Sequence, residues 1–120
     1  KEPERVFKTL VTVGKSGEHY VFMLPACDEL DLKKAAKAVG EKSVEMIKSK
    51  ELLPLTGYIH GGCSPVGMKK FFRTTAHITA QDYETVTFSA GRIGWMMEMA
   101  PGDLGRAIRL GYADITREHE

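Results

Sequence analysis

Apolar and β-branched residues fill positions 6 to 13, Val-Phe-Lys-Thr-Leu-Val-Thr-Val, a pattern that predicts a strand. Gly14-Lys15-Ser16-Gly17 is a turn signal, and His19 to Leu24 supplies the partner strand of a hairpin that Pro25 ends. The period then changes from two to that of a helix. Leu32, Ala35, Ala36 and Val39 recur at i, i+3, i+4 and i+7, with Asp31 placed to cap and Gly40 to close the helix. Lys33, Lys34 and Lys37 fall off that stripe.

Ser43 to Ile47 is a short strand candidate, and Ser49 caps a brief helix through Leu53 whose end Pro54 disturbs. Tyr58 to His60 reads as a strand leading into a glycine-rich stretch, and Lys70 to Arg73 as the strand returning from it. Thr79 to Asp82 is a turn or one helical turn; Thr85 to Ser89 and Trp95 to Met99 are strands. Pro101 opens a helix with Leu104, Ala107 and Ile108 on one side and Gly111 at its end. Tyr112 to Ile115 is a closing strand, and the charged tail beyond it frays. About seven short strands with two or three helices make a mixed α+β domain.

At 120 residues the chain suits one domain with a real core, and its 42% hydrophobic and 28% charged residues are those of an ordinary globular protein. No apolar run approaches the roughly 18 residues of a membrane-spanning helix. The two cysteines, Cys27 and Cys63, match no CxxC pattern and read as reduced thiols of a cytosolic protein. The histidines (His19, His60, His77, His119) show no zinc spacing, so neither a metal nor another cofactor is expected. The net charge of +1 is uneven. Nine Lys/Arg against four Asp/Glu lie between Asp31 and Arg73, a local excess of five positive charges. Such a middle either tracks a phosphate backbone or solvates exposed helix faces.

Residues 61 to 67, Gly-Gly-Cys-Ser-Pro-Val-Gly, hold three glycines and a proline, which excludes a helix interior. Such a loop is either a plain turn-rich connection or one that aims bare N–H groups at a carbonyl oxygen or anion. Lys8 alternates with Val6 and Leu10 on one face of an otherwise apolar strand. It either reaches solvent along its stem or sits in a cleft beside an anionic partner. No Ser-His-Asp order, paired carboxylates or GxxxxGK[ST] motif is present.

Val-Phe-Lys-Thr-Leu at 6 to 10, Thr-Gly-Tyr at 56 to 58, the glycine loop, Ser-Ala-Gly-Arg-Ile-Gly at 89 to 94 and Ala-Pro-Gly-Asp-Leu at 100 to 104 form an ordered set. In that order the set resembles the YbaK/EbsC family of aminoacyl-tRNA deacylases, which includes the editing domain inserted in bacterial prolyl-tRNA synthetases. The resemblance runs from Arg5 to Ile115. It implies a curved, barrel-like mixed sheet flanked by helices, a tRNA acceptor end as partner, and prolyl-tRNA synthetase as a further partner. It also implies hydrolysis of mischarged tRNA, Cys-tRNA(Pro) first. The alternatives are Ala-tRNA(Pro) hydrolysis, or a non-catalytic module that binds an RNA 3′ end or a nucleotide.

Lys8 matches the family's essential lysine, which implies an ammonium near the terminal phosphate or the ester carbonyl. Thr9 is adjacent but on the opposite strand face. Gly61, Gly62 and Ser64 match the family's pocket loop, with backbone N–H groups and a hydroxyl toward the aminoacyl group. Ser89 and Gly91 resemble a second pocket wall, and Arg92 is either a phosphate contact or a surface arginine. Cys63 stands where the family carries an aliphatic residue, so it reads as a small hydrophobe rather than a nucleophile. Trp95, Met96, Met97 and Met99 form either an adhesive patch or part of the core. The family implies positioning chemistry, in which the thiol of a misattached cysteine attacks its own ester. Family members also carry a segment before the Phe-Lys-Thr strand, so the expectation is a trimmed chain or a pocket short of one wall.

Overall fold

The computed structural model describes residues 3–118. After a 3₁₀ turn at Pro3–Arg5, strand β1 (Phe7–Gly14) and strand β2 (His19–Pro25) form the expected hairpin, antiparallel from Phe7 opposite Pro25 to Val13 opposite His19. Helix α1 (Leu32–Val39) follows. The Asp31 side chain accepts hydrogen bonds from the Lys33 and Lys34 amides, and Gly40 closes the helix at φ 78°, a left-handed turn that glycine adopts without strain. Ala35, Ala36 and Val39 of the stripe are buried, whereas Leu32 remains exposed.

Strand β3 (Val44–Met46) pairs with the far end of β1, and helix α2 (Ser49–Thr56) comes next. This helix corrects two expectations. Its cap is Lys48, whose amide donates to the Glu51 carboxylate at 3.0 Å, and it continues through Pro54. The last turn survives because Thr56 Oγ1 donates to the Leu52 carbonyl and the Gly57 amide to that of Leu53. Strand β4 is Arg73–His77 rather than Lys70 to Arg73, and residues 58–60 are irregular. Tyr58 is held by its own loop instead of a neighbouring strand: its amide donates to Thr56 Oγ1 and its hydroxyl to the Val66 carbonyl.

A 3₁₀ turn at Ile78–Asp82 leads to β5 (Val86–Ser89), which pairs with β6 (Met96–Met99). Helix α3 (Pro101–Ala107) stops before the expected Gly111, because that glycine lies inside β7 (Leu110–Ala113), paired in parallel with Thr75 of β4. In the tail expected to fray beyond Ile115, Thr116 and Arg117 are held instead, by a Leu30–Thr116 bridge and an Arg117 amide bond to the Glu29 carbonyl. His119 lies outside the described residues.

The main sheet has the order β3-β1-β2-β4-β7, antiparallel around β1 and parallel from β2 to β7, and β5-β6 is a separate ribbon. The domain is therefore mixed α+β, and the described strands do not close into a hydrogen-bonded barrel. Helix α1 covers one face through Tyr20, Phe22, Leu24 and Ile115. The other face carries Phe7, Met23 and Phe88 in one cluster and Val11, Val21, Leu52 and Cys63 in another. Each such aromatic or aliphatic side chain contributes about 1.5–3 kcal/mol by leaving water.

Candidate active site

Strand β1 pairs with β2 along its whole length, but β3 covers its other edge only from Thr12 onward. At the opposite end a single parallel bridge joins Val6 to Thr87 of the β5-β6 ribbon. Between these lies an uncovered window of edge, and there the structure has a cleft of about 360 Å³. The ladder fixes which peptide groups face it. The Ala26 amide bonds to the Val6 carbonyl and the Gly14 amide to that of Glu18, so even-numbered residues of β1 turn toward β2. Odd-numbered residues turn outward, as the Ile47 amide bond to the Val11 carbonyl confirms, and the Thr9 peptide groups thus point at the window.

An edge-on cleft reaches both faces of its strand. Lys8 and Thr9 both line it, although their side chains leave β1 in opposite directions. Gly61, Cys63, Ser89 and Met96 complete the wall opposite. Sequence reasoning missed three polar lining residues, Lys48, Ser49 and His60. A signal existed for His60, which adjoins the glycine loop, but Lys48 and Ser49 reach the cleft only because α2 packs beside the β1 edge. The lining holds no aspartate or glutamate, so the cleft combines apolar walls with Lys8, Lys48 and His60. That charge balance suits an anionic ligand.

Two hydroxyls are conspicuous. Thr9 Oγ1 and Ser89 Oγ are buried without a hydrogen-bond partner, and both belong to residues of the lining. A buried hydroxyl left unpaired costs about 1–3 kcal/mol, so such groups need a reason.

The remaining candidates support the wall from behind. Gly62 is buried, and its amide already donates to the Ile59 carbonyl at 3.0 Å, which removes it as a bare donor. A Cβ at Gly62 would come within 3.2–3.3 Å of the Arg92–Ile93 backbone, so the glycine lets two loops touch. Gly91 plays the matching part at φ 105°, where a Cβ would lie 3.0 Å from the Tyr58 ring. Ser64 is fully buried and its Oγ accepts from the Val66 amide, a bond within its own turn. Arg92 is exposed on the loop that closes β5 to β6, its carbonyl accepting from the Trp95 amide. Beside it Trp95 is 65% and Met96 49% exposed, while Met97 and Met99 pack on the core.

Burial pushes the Cys63 thiol up to about 11, with a Thr56 hydrogen bond opposing the shift. The thiol is uncharged at neutral pH and a poor nucleophile there. Among the described residues no cluster of His, Cys, Asp or Glu could hold a metal, and no helix is long and apolar enough to cross a membrane.

The family described as "Aminoacyl-tRNA editing domain" matches residues 1–107. An Enterococcus faecalis protein named "Putative Cys-tRNA(Pro)/Cys-tRNA(Cys) deacylase EbsC" is 49% identical over 115 residues, covering 96% of this chain and 70% of that one. The crystal structure titled as that of "a putative trans-editing enzyme for prolyl tRNA synthetase" superposes with a TM-score of 0.87 at 27% identity, over 98% of this chain and 73% of the other. The hypothetical protein APE2540 shares the fold, with a TM-score of 0.87 at 23% identity over 97% and 77% of the two chains. The chain therefore belongs to the aminoacyl-tRNA editing family, the family of deacylases that its motifs resemble.

Proposed function

We propose that the cleft holds the aminoacyl ester at the 3′ end of a mischarged tRNA, Cys-tRNA(Pro) above all, and hydrolyses it in trans. The observation that carries this reading is the meeting of Lys8 and Gly61 on one cleft beside two unpartnered hydroxyls. The Lys8 ammonium lies against the terminal phosphate or the ester carbonyl. The Thr9 and Ser89 hydroxyls and the Thr9 peptide take the polar atoms of the aminoacyl group, and Gly61 lets the ester approach the backbone. Gly62, Ser64 and Gly91 keep that wall in place, and Arg92 meets phosphate at its rim.

The protein supplies no nucleophile in this scheme. Cys63 is uncharged, and the lining holds no carboxylate base. The substrate's own thiol forms the new S–C bond at the ester carbonyl, the C–O bond to the ribose breaks, and the 3′ oxygen leaves with the thiol's proton. The resulting thiolactone takes up water to give cysteine, so the sum is ester hydrolysis. Catalysis then comes from orientation and from charge stabilisation at the carbonyl oxygen. Proline has no thiol, so the correctly charged tRNA survives.

The test is a panel of Cys-, Ala- and Pro-charged tRNA(Pro) incubated with the purified protein, with and without prolyl-tRNA synthetase. Loss of Cys-tRNA alone supports the proposal. Equal loss of Ala-tRNA replaces the thiol mechanism with a water attack. Salt-dependent tRNA binding without turnover would make the domain a binding module.

A further inference from the structure

We infer that α2 carries a strip of lysines which holds the phosphodiester backbone of an unpaired RNA 3′ strand as it leaves the cleft; the inference rests on the RNA substrate proposed above. Lys48 stands at the start of α2 and lines the cleft. Lys50 is exposed as the second residue of the helix, and Lys69 lies against its far end, where its Nζ donates to the Pro54 carbonyl at 3.4 Å and its stem packs by Gly57. That single bond leaves the Lys69 ammonium two further donors. Lys70 follows and is exposed, and among the described residues none of the four lysines is ion-paired. Glu51, the acidic residue of α2, turns its carboxylate back onto the Lys48 amide.

Eight residues make α2 about 12 Å long, which at about 3.4 Å per stacked nucleotide spans roughly three to four nucleotides. Phe71 comes next in the chain and is 77% exposed, a cost that no packing in the domain offsets. A positive track ending on a bare aromatic is the arrangement that binds single-stranded nucleic acid, with charge on the backbone and a base on the ring. The strip explains two facts together: the uneven charge of the middle of the chain, and an exposed phenylalanine beside two consecutive lysines.

The experiment measures binding of an uncharged acceptor-stem hairpin with a single-stranded 3′ end across a salt series. It compares the wild-type chain, a Lys50→Gln, Lys69→Gln, Lys70→Gln triple variant, and a Lys15→Gln, Lys33→Gln, Lys37→Gln control with the same net charge. Each lost phosphate contact lowers the slope of log affinity against log salt by about 0.7, so the triple variant should lose about 2 while the control keeps the wild-type slope. Trimming the single strand from the hairpin should remove the difference between the variants, and Phe71→Ala should weaken binding without changing the slope. Equal slopes for triple variant and control, or tight binding of the trimmed hairpin, would overturn the strip. Single Lys50→Gln and Lys70→Gln variants give the same reading if the triple variant is unstable. Binding is read without turnover: a chain that binds through the strip yet hydrolyses no ester would refute the deacylation reading alone.

Discussion

Thr9 of the main sheet and Ser89 of the β5-β6 ribbon bring to one cleft two buried hydroxyls that have no hydrogen-bond partner. The segments that carry them are joined by the Val6–Thr87 bridge and by Phe7 packing in one cluster with Val86 and Phe88, so the pair is a product of tertiary folding. If these groups wait for substrate, removing them should separate stability from activity. Thr9→Val and Ser89→Ala should each leave the melting temperature unchanged or raised, because an unsatisfied buried group is deleted. Each should slow deacylation by roughly three- to tenfold, the worth of one hydrogen bond. Parallel thermal melts and kinetics check both signs, and a variant that loses stability without losing rate would place its hydroxyl in the scaffold.

Gly62 should fail differently. A methyl group there meets the Arg92–Ile93 backbone at 3.2–3.3 Å, and backbone moves less readily than a side chain end. Gly62→Ala should cost about 1–3 kcal/mol of stability, as overpacking does, and lower kcat/KM by parting the two loops. Denaturant titration alongside substrate kinetics measures both.

Cys63 should behave as an inert small hydrophobe. With its thiol pushed up to about 11 it should resist iodoacetamide at pH 7 while the exposed Cys27 reacts, which peptide mass spectrometry resolves. Cys63→Ala should retain turnover and cost about 1 kcal/mol of stability. A total loss of activity in that variant would make the thiol a participant.

A pH dependence resides at the far end of the sheet. His77 is buried, its Nδ1 accepts the Ile115 amide at 3.2 Å, and Lys34 and Asp114 stand nearby, joined at 3.1 Å. Burial lowers its proton affinity below the ordinary 6.5, against the opposing pull of the Asp114 and Asp28 carboxylates and with help from Lys34. The unfolded chain therefore binds the proton first as pH falls. The contribution of neutral His77 is complete above about 6.5 and is lost as pH drops toward the depressed folded value. Protonation also removes the acceptor that holds Ile115. Thermal melts from pH 8 to 5 should fall more steeply for wild type than for His77→Gln, and identical curves would contradict the assignment.

Local chemistry was legible in the sequence where it decides structure by itself. The β1-β2 hairpin and α1 have their turn, cap and left-handed glycine within the segment. Strand β4 was displaced because Phe71-Phe72 attracts a strand assignment, yet Phe71 is exposed and the pairing goes to Arg73–His77, whose partners β2 and β7 are distant in sequence. Gly111 has the sequence position of a helix stop, yet it belongs to β7, whose partner β4 is likewise distant in sequence. At the cleft, the motifs named Lys8, Thr9, Gly61 and Ser89, but not the parts played by their neighbours. Whether a glycine donates its amide or only admits a second loop depends on what folds against it, as Gly62 shows. Lys48 and Ser49 carry no mark in the sequence, because their position at the cleft follows from where α2 packs.

On the proposed function, Lys8 orients a bound ester without being needed for the fold. Single-turnover deacylation of Cys-tRNA(Pro), at enzyme concentrations that saturate the substrate, compares wild type with Lys8→Ala most directly. The expected rate is lower by about a hundredfold or more with an unchanged melting temperature, the loss expected when a preorganised positive charge leaves a reacting carbonyl. A variant that deacylates within about threefold of wild type would contradict it.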